Sequence, residues 1–246
     1  MISSVRVLGS SLNYCHIIHN DQYALVIDPG ESEPVLDWLA LHQLHLTHIL
    51  ITHHHLDHVQ GINGLKLNFP NTIVIASSSS QIAHDIKLQH HETFLVNWLN
   101  SHITCLHIPG HTIDHCAYLY QNAAFVGDTL FSLGCGQNFE GSFETMLNSI
   151  NLIKSLNDQT MIYFAHEYTK KNLLFTLSLT DSPILEKYLE HIPSKTVPSS
   201  LAFEKEHNLF LQCDNPKLWK QLSKKLGPIS NMLECFTKLR LAKNRF

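Results

Sequence analysis

Ile51-Thr52-His53-His54-His55-Leu56-Asp57-His58, closed by Gly61, is the stretch on which the reading of this chain turns. It follows Leu46-Thr47-His48-Ile49-Leu50, a short apolar run that predicts a buried strand running into a loop. Side chains two apart on an extended chain point the same way, so His53, His55 and Asp57 are expected to leave one face together. His58 falls where Val59-Gln60-Gly61-Ile62 takes on helical character, and the turn swings it beside Asp57. Two imidazoles from a strand end, then a carboxylate and an imidazole from a turn, form the nucleus of a two-metal site. Imidazole and carboxylate suit zinc, iron or manganese. A run of solvated histidines is the competing reading, and it gives no reason for the Asp or for the Gly that follows.

The rest of the composition narrows the class. With 44% hydrophobic residues among 246, the chain can bury a sizeable core, enough for one large domain or one plus a small one. A formal charge of −4 offers no basic field to nucleic acid. The apolar runs are short, and none approaches the length of a membrane span. Met1-Ile2-Ser3-Ser4-Val5-Arg6-Val7 lacks the charged start, apolar run and cleavage site of a signal peptide. The six cysteines contain no C-x-x-C pair and read as buried or idle thiols. The expectation is a soluble, cytoplasmic, monomeric protein that binds neither nucleic acid nor membrane.

Working outward, Val5–Leu8, Tyr14–Ile18 and Tyr23–Ile27 predict strands, and Asp28-Pro29-Gly30 stops the third. Pro34–Leu41 has helical spacing, and Thr72–Ala76 is another strand. The polar stretch from Ser77 to His91, with His84, His90 and His91, reads as surface. Ile103–Ile108 is a strand that ends in Pro109-Gly110-His111-Thr112. A hairpin around Gln121-Asn122 ends in Gly127-Asp128-Thr129-Leu130-Phe131. Phe143–Leu156 is an amphipathic helix, and the strand Met161–Phe164 ends in Ala165-His166-Glu167-Tyr168-Thr169. Each candidate metal donor thus sits just past a strand end, where loops on a rigid sheet carry chemistry. After Thr169 the pattern is helical, over Lys171–Leu179, Pro183–His191, Lys217–Leu226 and Asn231–Leu241, with no strand between. The organisation expected is α+β, with a β-rich catalytic domain over 1–168 and a small all-helical domain over 169–246.

The pattern Thr-His-x-His-x-Asp-His with a distant Gly-His, a Gly-Asp and a last His resembles the metallo-β-lactamase superfamily. More narrowly, Thr52–His58, Pro109-Gly110-His111-Thr112, Gly127-Asp128-Thr129-Leu130-Phe131, Gly134-Cys135-Gly136 and His166-Glu167-Tyr168-Thr169 resemble glyoxalase II, the hydroxyacylglutathione hydrolases. The resemblance covers nearly the whole chain, and the fold it implies is an αββα sandwich followed by a helical substrate-binding tail. It implies that His53, His55 and His111 hold one metal, that Asp57, His58 and His166 hold the second, and that Asp128 bridges them. The cofactor implied is a pair of divalent metal ions, zinc first, with iron or manganese as alternatives. The reaction implied is hydrolysis of S-D-lactoylglutathione to glutathione and D-lactate, the second step of methylglyoxal detoxification. A metal-bridging hydroxide attacks the thioester, and Asp57 aims it. The leaving thiolate is already a fairly stable anion and needs no dedicated acid.

For the substrate, the resemblance points to Gln137, Phe139, Tyr168 and Lys205, the last as the cation for the glycine carboxylate of glutathione. Gln137 and Gln212 stand where basic residues are frequent in the family. Leu12 replaces an acidic residue, Asp114 replaces a Gly, and Ala165 replaces a Gly or Cys-Gly. His115 is kept and is expected to orient a loop. Two other readings share the scaffold: a persulfide dioxygenase-like mono-iron oxidoreductase, and a dinuclear hydrolase of a non-glutathione thioester. The full second-metal set weighs against the first.

Overall fold

Runs of β-branched residues broken by Pro, Gly and Asn set the strands, and two compact units result. The computed structural model describes residues 1–9 and 13–246, so Leu12 lies outside the described residues. One unit comprises Met1–His107 and Thr112–Gly127; the other comprises Ile108–His111 and Asp128–Phe246.

In the first unit, one sheet contains β1 (Ile2–Val7), β2 (Asn13–His19), β3 (Tyr23–Ile27), β4 (His45–Ile51), β5 (Ile73–Ser77) and β6 (Ile86–Leu88), in that order. The first three strands pair antiparallel, and β3 to β6 pair parallel. Helices α1 (Glu33–Leu41), α2 (Leu56–Val59) and α3 (Ile62–Asn68) fall between them. Parallel strands covered on both faces read as unbroken apolar runs. Accordingly Val26, Ile49 and Val74 are buried against Val35 and Leu39 of α1. Each such side chain contributes about 1.5–3 kcal/mol on burial.

Four antiparallel strands follow, β7 (Thr93–Val96), β8 (Ser101–His107), β9 (Cys116–Tyr120) and β10 (Ala123–Gly127). The buried Tyr118 hydroxyl donates to the Ile51 carbonyl (2.8 Å) and lies 3.3 Å from the Ile75 carbonyl, tying β9 to the ends of β4 and β5. The strands β6 and β7 are absent from the sequence reading, because three or four residues in a polar context leave no period to detect. All six cysteines are free and buried, as expected.

The second unit holds β11 (Leu130–Phe131) and β12 (Gly134–Cys135), a two-by-two hairpin, then α4 (Phe143–Lys154) and β13 (Met161–Phe164). The tail runs α5 (Thr169–Leu179), α6 (Pro183–Glu190), β14 (Ser199–Ser200), α7 (Leu201–His207), α8 (Pro216–Leu226) and α9 (Met232–Arg245). Sequence periodicity showed neither the short α7 nor β14, which pairs antiparallel with β13. Ser182, Ser200, Asn215 and Asn231 each accept a backbone N–H at a helix start. Such caps contribute about 1 kcal/mol apiece.

Candidate metal centre

In the first unit the donors are organised by a residue that sequence reading treated only as a strand stop. Asp28 leaves β3 with φ +54°, a conformation that an Asp tolerates and most residues do not. Its Oδ1 accepts the Thr52 N–H at 2.8 Å; its Oδ2 accepts the Thr52 hydroxyl at 2.6 Å and faces His58 Nδ1 at 3.0 Å. All three residues are buried. The carboxylate only accepts, so His58 Nδ1 carries the proton and Nε2 is its acceptor nitrogen. The Thr52 hydroxyl spends its single proton on Asp28, so His53 Nδ1, 3.0 Å away, must donate to it. His53 Nε2 is then an acceptor too, and it lies 3.1 Å from His55 Nδ1.

Two donors held at 2.0–2.1 Å by one tetrahedral cation stand roughly 3.3 Å apart, so the His53–His55 spacing fits a metal. The strand itself ends at Ile51: His53 and His55 leave an extended segment, as expected, but Asp57 and His58 sit on α2. Asn13 Nδ2 donates to Asp57 Oδ2 at 2.9 Å and fixes that carboxylate. Gly30 and Gly61 make room for the turn. A Cβ at Gly30 would stand 2.0 Å from the Asp57 carbonyl oxygen, and one at Gly61 would stand 2.6 Å from that of Pro29. His115 stacks on His53 (4.6 Å, 18°). Asp114 accepts from the Thr112 hydroxyl at 2.7 Å and pairs with His54 at 2.9 Å.

The second unit holds the other three candidate donors. His111 follows Gly110, whose φ of +142° and close approach to Met146 admit only glycine comfortably. The Gln137 carbonyl lies 2.8 Å from His111 Nδ1, which must therefore carry a proton and leave Nε2 as acceptor. That Nε2 lies 3.6 Å from Asp128 Oδ2, and His166 Nε2 lies 3.1 Å from the same oxygen. His111, Asp128 and His166 are all buried. A carboxylate gripped by two imidazole edges away from water is a donor set suited to a divalent cation. The Tyr168 ring stacks on His166 (4.9 Å, 8°), and Phe139 meets His111 edge-on at 5.2 Å.

Beside these donors, within the second unit, is a cavity of about 320 Å³ lined by Gln137, Tyr168, Lys171, Arg240, Lys243 and Phe246, among others. Two expected substrate residues, Gln137 and Tyr168, line it. Phe139 and Lys205 do not. Lys205, on α7, bonds Asp158 Oδ1 (2.5 Å) and the Leu156 carbonyl (3.1 Å), away from the lining of this cavity. Gln212 bonds the Glu206 carbonyl and lines a separate cavity, so an arginine missing there removes no cation from this one. The cations that sequence reading missed are Lys171, Arg240 and Lys243. Arg240 and Lys243 lie three apart on α9 and so share a face, a signal available from spacing alone. Lys243 Nζ also sits over the Phe175 and Phe246 rings, and burial with Arg240 and Lys171 nearby brings its pKa down to about 8.

Comparison with known proteins covers both parts of the chain. Residues 9–166 match the Metallo-beta-lactamase superfamily, and residues 167–246 match Hydroxyacylglutathione hydrolase C-terminus. The chain is 40% identical over its whole length to the full hydroxyacylglutathione hydrolase of Nitrosomonas eutropha. It is also 40% identical to that of Photobacterium profundum over 95% of both chains. Among solved structures, ETHE1 from Myxococcus xanthus shares the fold with a TM-score of 0.69 at 23% identity, over 95% of this chain and 94% of that one. With full-length relatives at this identity, and with the α+β metallo-β-lactamase fold followed by its helical tail, the chain belongs to the hydroxyacylglutathione hydrolase family of the metallo-β-lactamase superfamily.

Proposed function

We propose that this thioester hydrolase uses two divalent cations, zinc first, to cleave S-D-lactoylglutathione to glutathione and D-lactate, as a cytoplasmic monomer. Residues 1–168 carry the donors and 169–246 carry the cations of the pocket. His53, His55 and His111 would hold one ion, Asp57, His58 and His166 the other, with Asp128 shared. One chain supplies all seven donors, which supports the monomer. When bound, such ions acidify a water and polarise a carbonyl. Asp57, steadied by Asn13, accepts a hydrogen bond from the attacking water and aims it. Asp28 and the Gln137 carbonyl keep His58 and His111 in the tautomers that present Nε2. Lys171, Arg240 and Lys243 take the substrate carboxylate, and the thiolate leaves without a dedicated acid.

The observation that carries this reading is Tyr168. Its ring lies flat on the donor His166 and also lines the cationic cavity, so binding and chemistry adjoin within one unit. The full-length relatives are named as hydrolases, which weighs against the mono-iron dioxygenase alternative. The test is thiol release from S-D-lactoylglutathione by purified protein, with metals quantified in the same sample. Rapid release that is lost on chelation, with close to two metals per chain, is expected. No release despite two bound metals would assign the chain a different thioester, and one iron with oxygen-dependent turnover would overturn the hydrolase.

A further inference from the structure

The β11–β12 hairpin that carries Gly134-Cys135-Gly136 has a ladder of only two residue pairs, Leu130↔Cys135 and Phe131↔Gly134. A hairpin this short does not hold itself in water. Its other backbone groups are buried and need partners, and the helical tail supplies them. Asn172 Nδ2 donates to the Ser132 carbonyl at 3.0 Å. Glu204 Oε2 accepts the Leu133 N–H at 2.8 Å. Asn208 Nδ2 donates to the Gly134 carbonyl and Glu204 Oε2 (both 3.0 Å) and lies 3.2 Å from the Phe131 carbonyl. Arg240 Nη1 donates to the Cys135 carbonyl (2.6 Å) and reaches that of Gly136 at 3.3 Å. Glu204 and Asn208 are fully buried, and Asn172 and Arg240 nearly so. Burial raises the Glu204 carboxyl, and its donors Ser199, Leu133 and Asn208 work against that rise.

The far end of this hairpin touches two proposed metal donors. The Gly136 N–H bonds the Thr129 carbonyl at 3.1 Å. A Cβ on Gly136 would stand 1.8 Å from the Asp128 carbonyl oxygen and 3.2 Å from His111 Nδ1. The next residue, Gln137, offers the carbonyl that holds His111 Nδ1.

We propose that the helical tail positions the metal donors His111 and Asp128 through this hairpin, with Asn208, Glu204 and Asn172 as positioning residues. The inference rests on the metal-centre reading above. In this arrangement the tail does more than take the substrate carboxylate. Its buried amides and carboxylate set the backbone that orients one imidazole and packs against one carboxylate-bearing loop. Arg240 belongs to both, because it lines the cavity and holds the Cys135 carbonyl.

The experiment measures metal affinity of the full chain by competition with a chromophoric chelator, alongside kcat, KM and thermal melting. The variants are Asn208→Ala and Asn172→Ala, with Lys243→Met as a pocket control. Removing a partner that orients a metal donor lowers metal affinity by about 10–100-fold. Asn208→Ala is expected to show that loss and a lower kcat, with KM near the wild-type value. Lys243→Met should do the reverse, raising KM and keeping its metal. Asn172→Ala, which removes one bond, decides the matter should Asn208→Ala fail to fold. Wild-type metal affinity in a folded Asn208→Ala or Asn172→Ala chain overturns the proposal while leaving the metal centre standing. A wild-type chain that holds no metal sinks the metal-centre reading itself, and this one with it.

Discussion

Asp28→Asn tests the tautomer argument with almost no change of shape. Asn tolerates the φ of +54° that position 28 adopts, so the backbone has no reason to move. The carboxylate makes three contacts, with the Thr52 N–H at Oδ1 and with the Thr52 hydroxyl and His58 at Oδ2. A carboxamide cannot reproduce them. With its nitrogen at Oδ1 it faces the Thr52 N–H, donor against donor; with its nitrogen at Oδ2 it faces the His58 Nδ1 proton. Hydrogen bonds to a charged group are each worth about 1.5–3 kcal/mol, so the cheapest relief is for His58 to move its proton to Nε2. That removes Nε2 from the donor set. Loss of such an orienting partner costs about 10–100-fold in metal affinity, which is about 1.4–2.7 kcal/mol. The assay is titration of metal-free protein with zinc against a chromophoric chelator, with circular dichroism confirming the fold. A folded Asp28→Asn chain with wild-type zinc affinity would refute both the tautomer assignment and the placement of His58 among the donors.

Three further outcomes follow from the same geometry. Lys243, with a pKa brought down to about 8, is fully charged only below that pH, and a carboxylate ligand favours the charged form. KM for the glutathione thioester should therefore be lowest below pH 8 and rise above it; Lys243→Met should raise KM by about 10–100-fold at neutral pH and flatten that rise, read from pH-dependent initial rates. Lys205→Ala should leave KM unchanged and cost at most about 1 kcal/mol on thermal melting, since it removes a partly exposed pair with Asp158. Gly30→Ala should lower the melting temperature and the bound metal together, because a Cβ there meets the Asp57 carbonyl at 2.0 Å and overpacking costs about 1–3 kcal/mol.

The candidate donors were legible in the chain because each follows a strand whose apolar run is visible locally. Residues 53–58, 111, 128 and 166 need no knowledge of distant contacts to stand out. The same locality explains the errors. Period two carried past Ile51 puts Asp57 on an extended face, whereas Leu56–Val59 closes a helical turn there. Hairpins of two-residue strands, such as β11–β12, have no period at all and are held by partners elsewhere in the chain.

Sequence by itself determined the fold class and the family and picked out the candidate donors, since these depend on residue type and on spacing over a few positions. It could not say that Asp28 orients His58, that Asn13 steadies Asp57, or that Lys205 is spent on Asp158. Nor could it bring Arg240 to the carbonyl of Cys135, 105 positions away. Those facts belong to tertiary structure, because a hydrogen bond's partner is set by where burial brings two chain segments together, and local sequence carries no record of that distance.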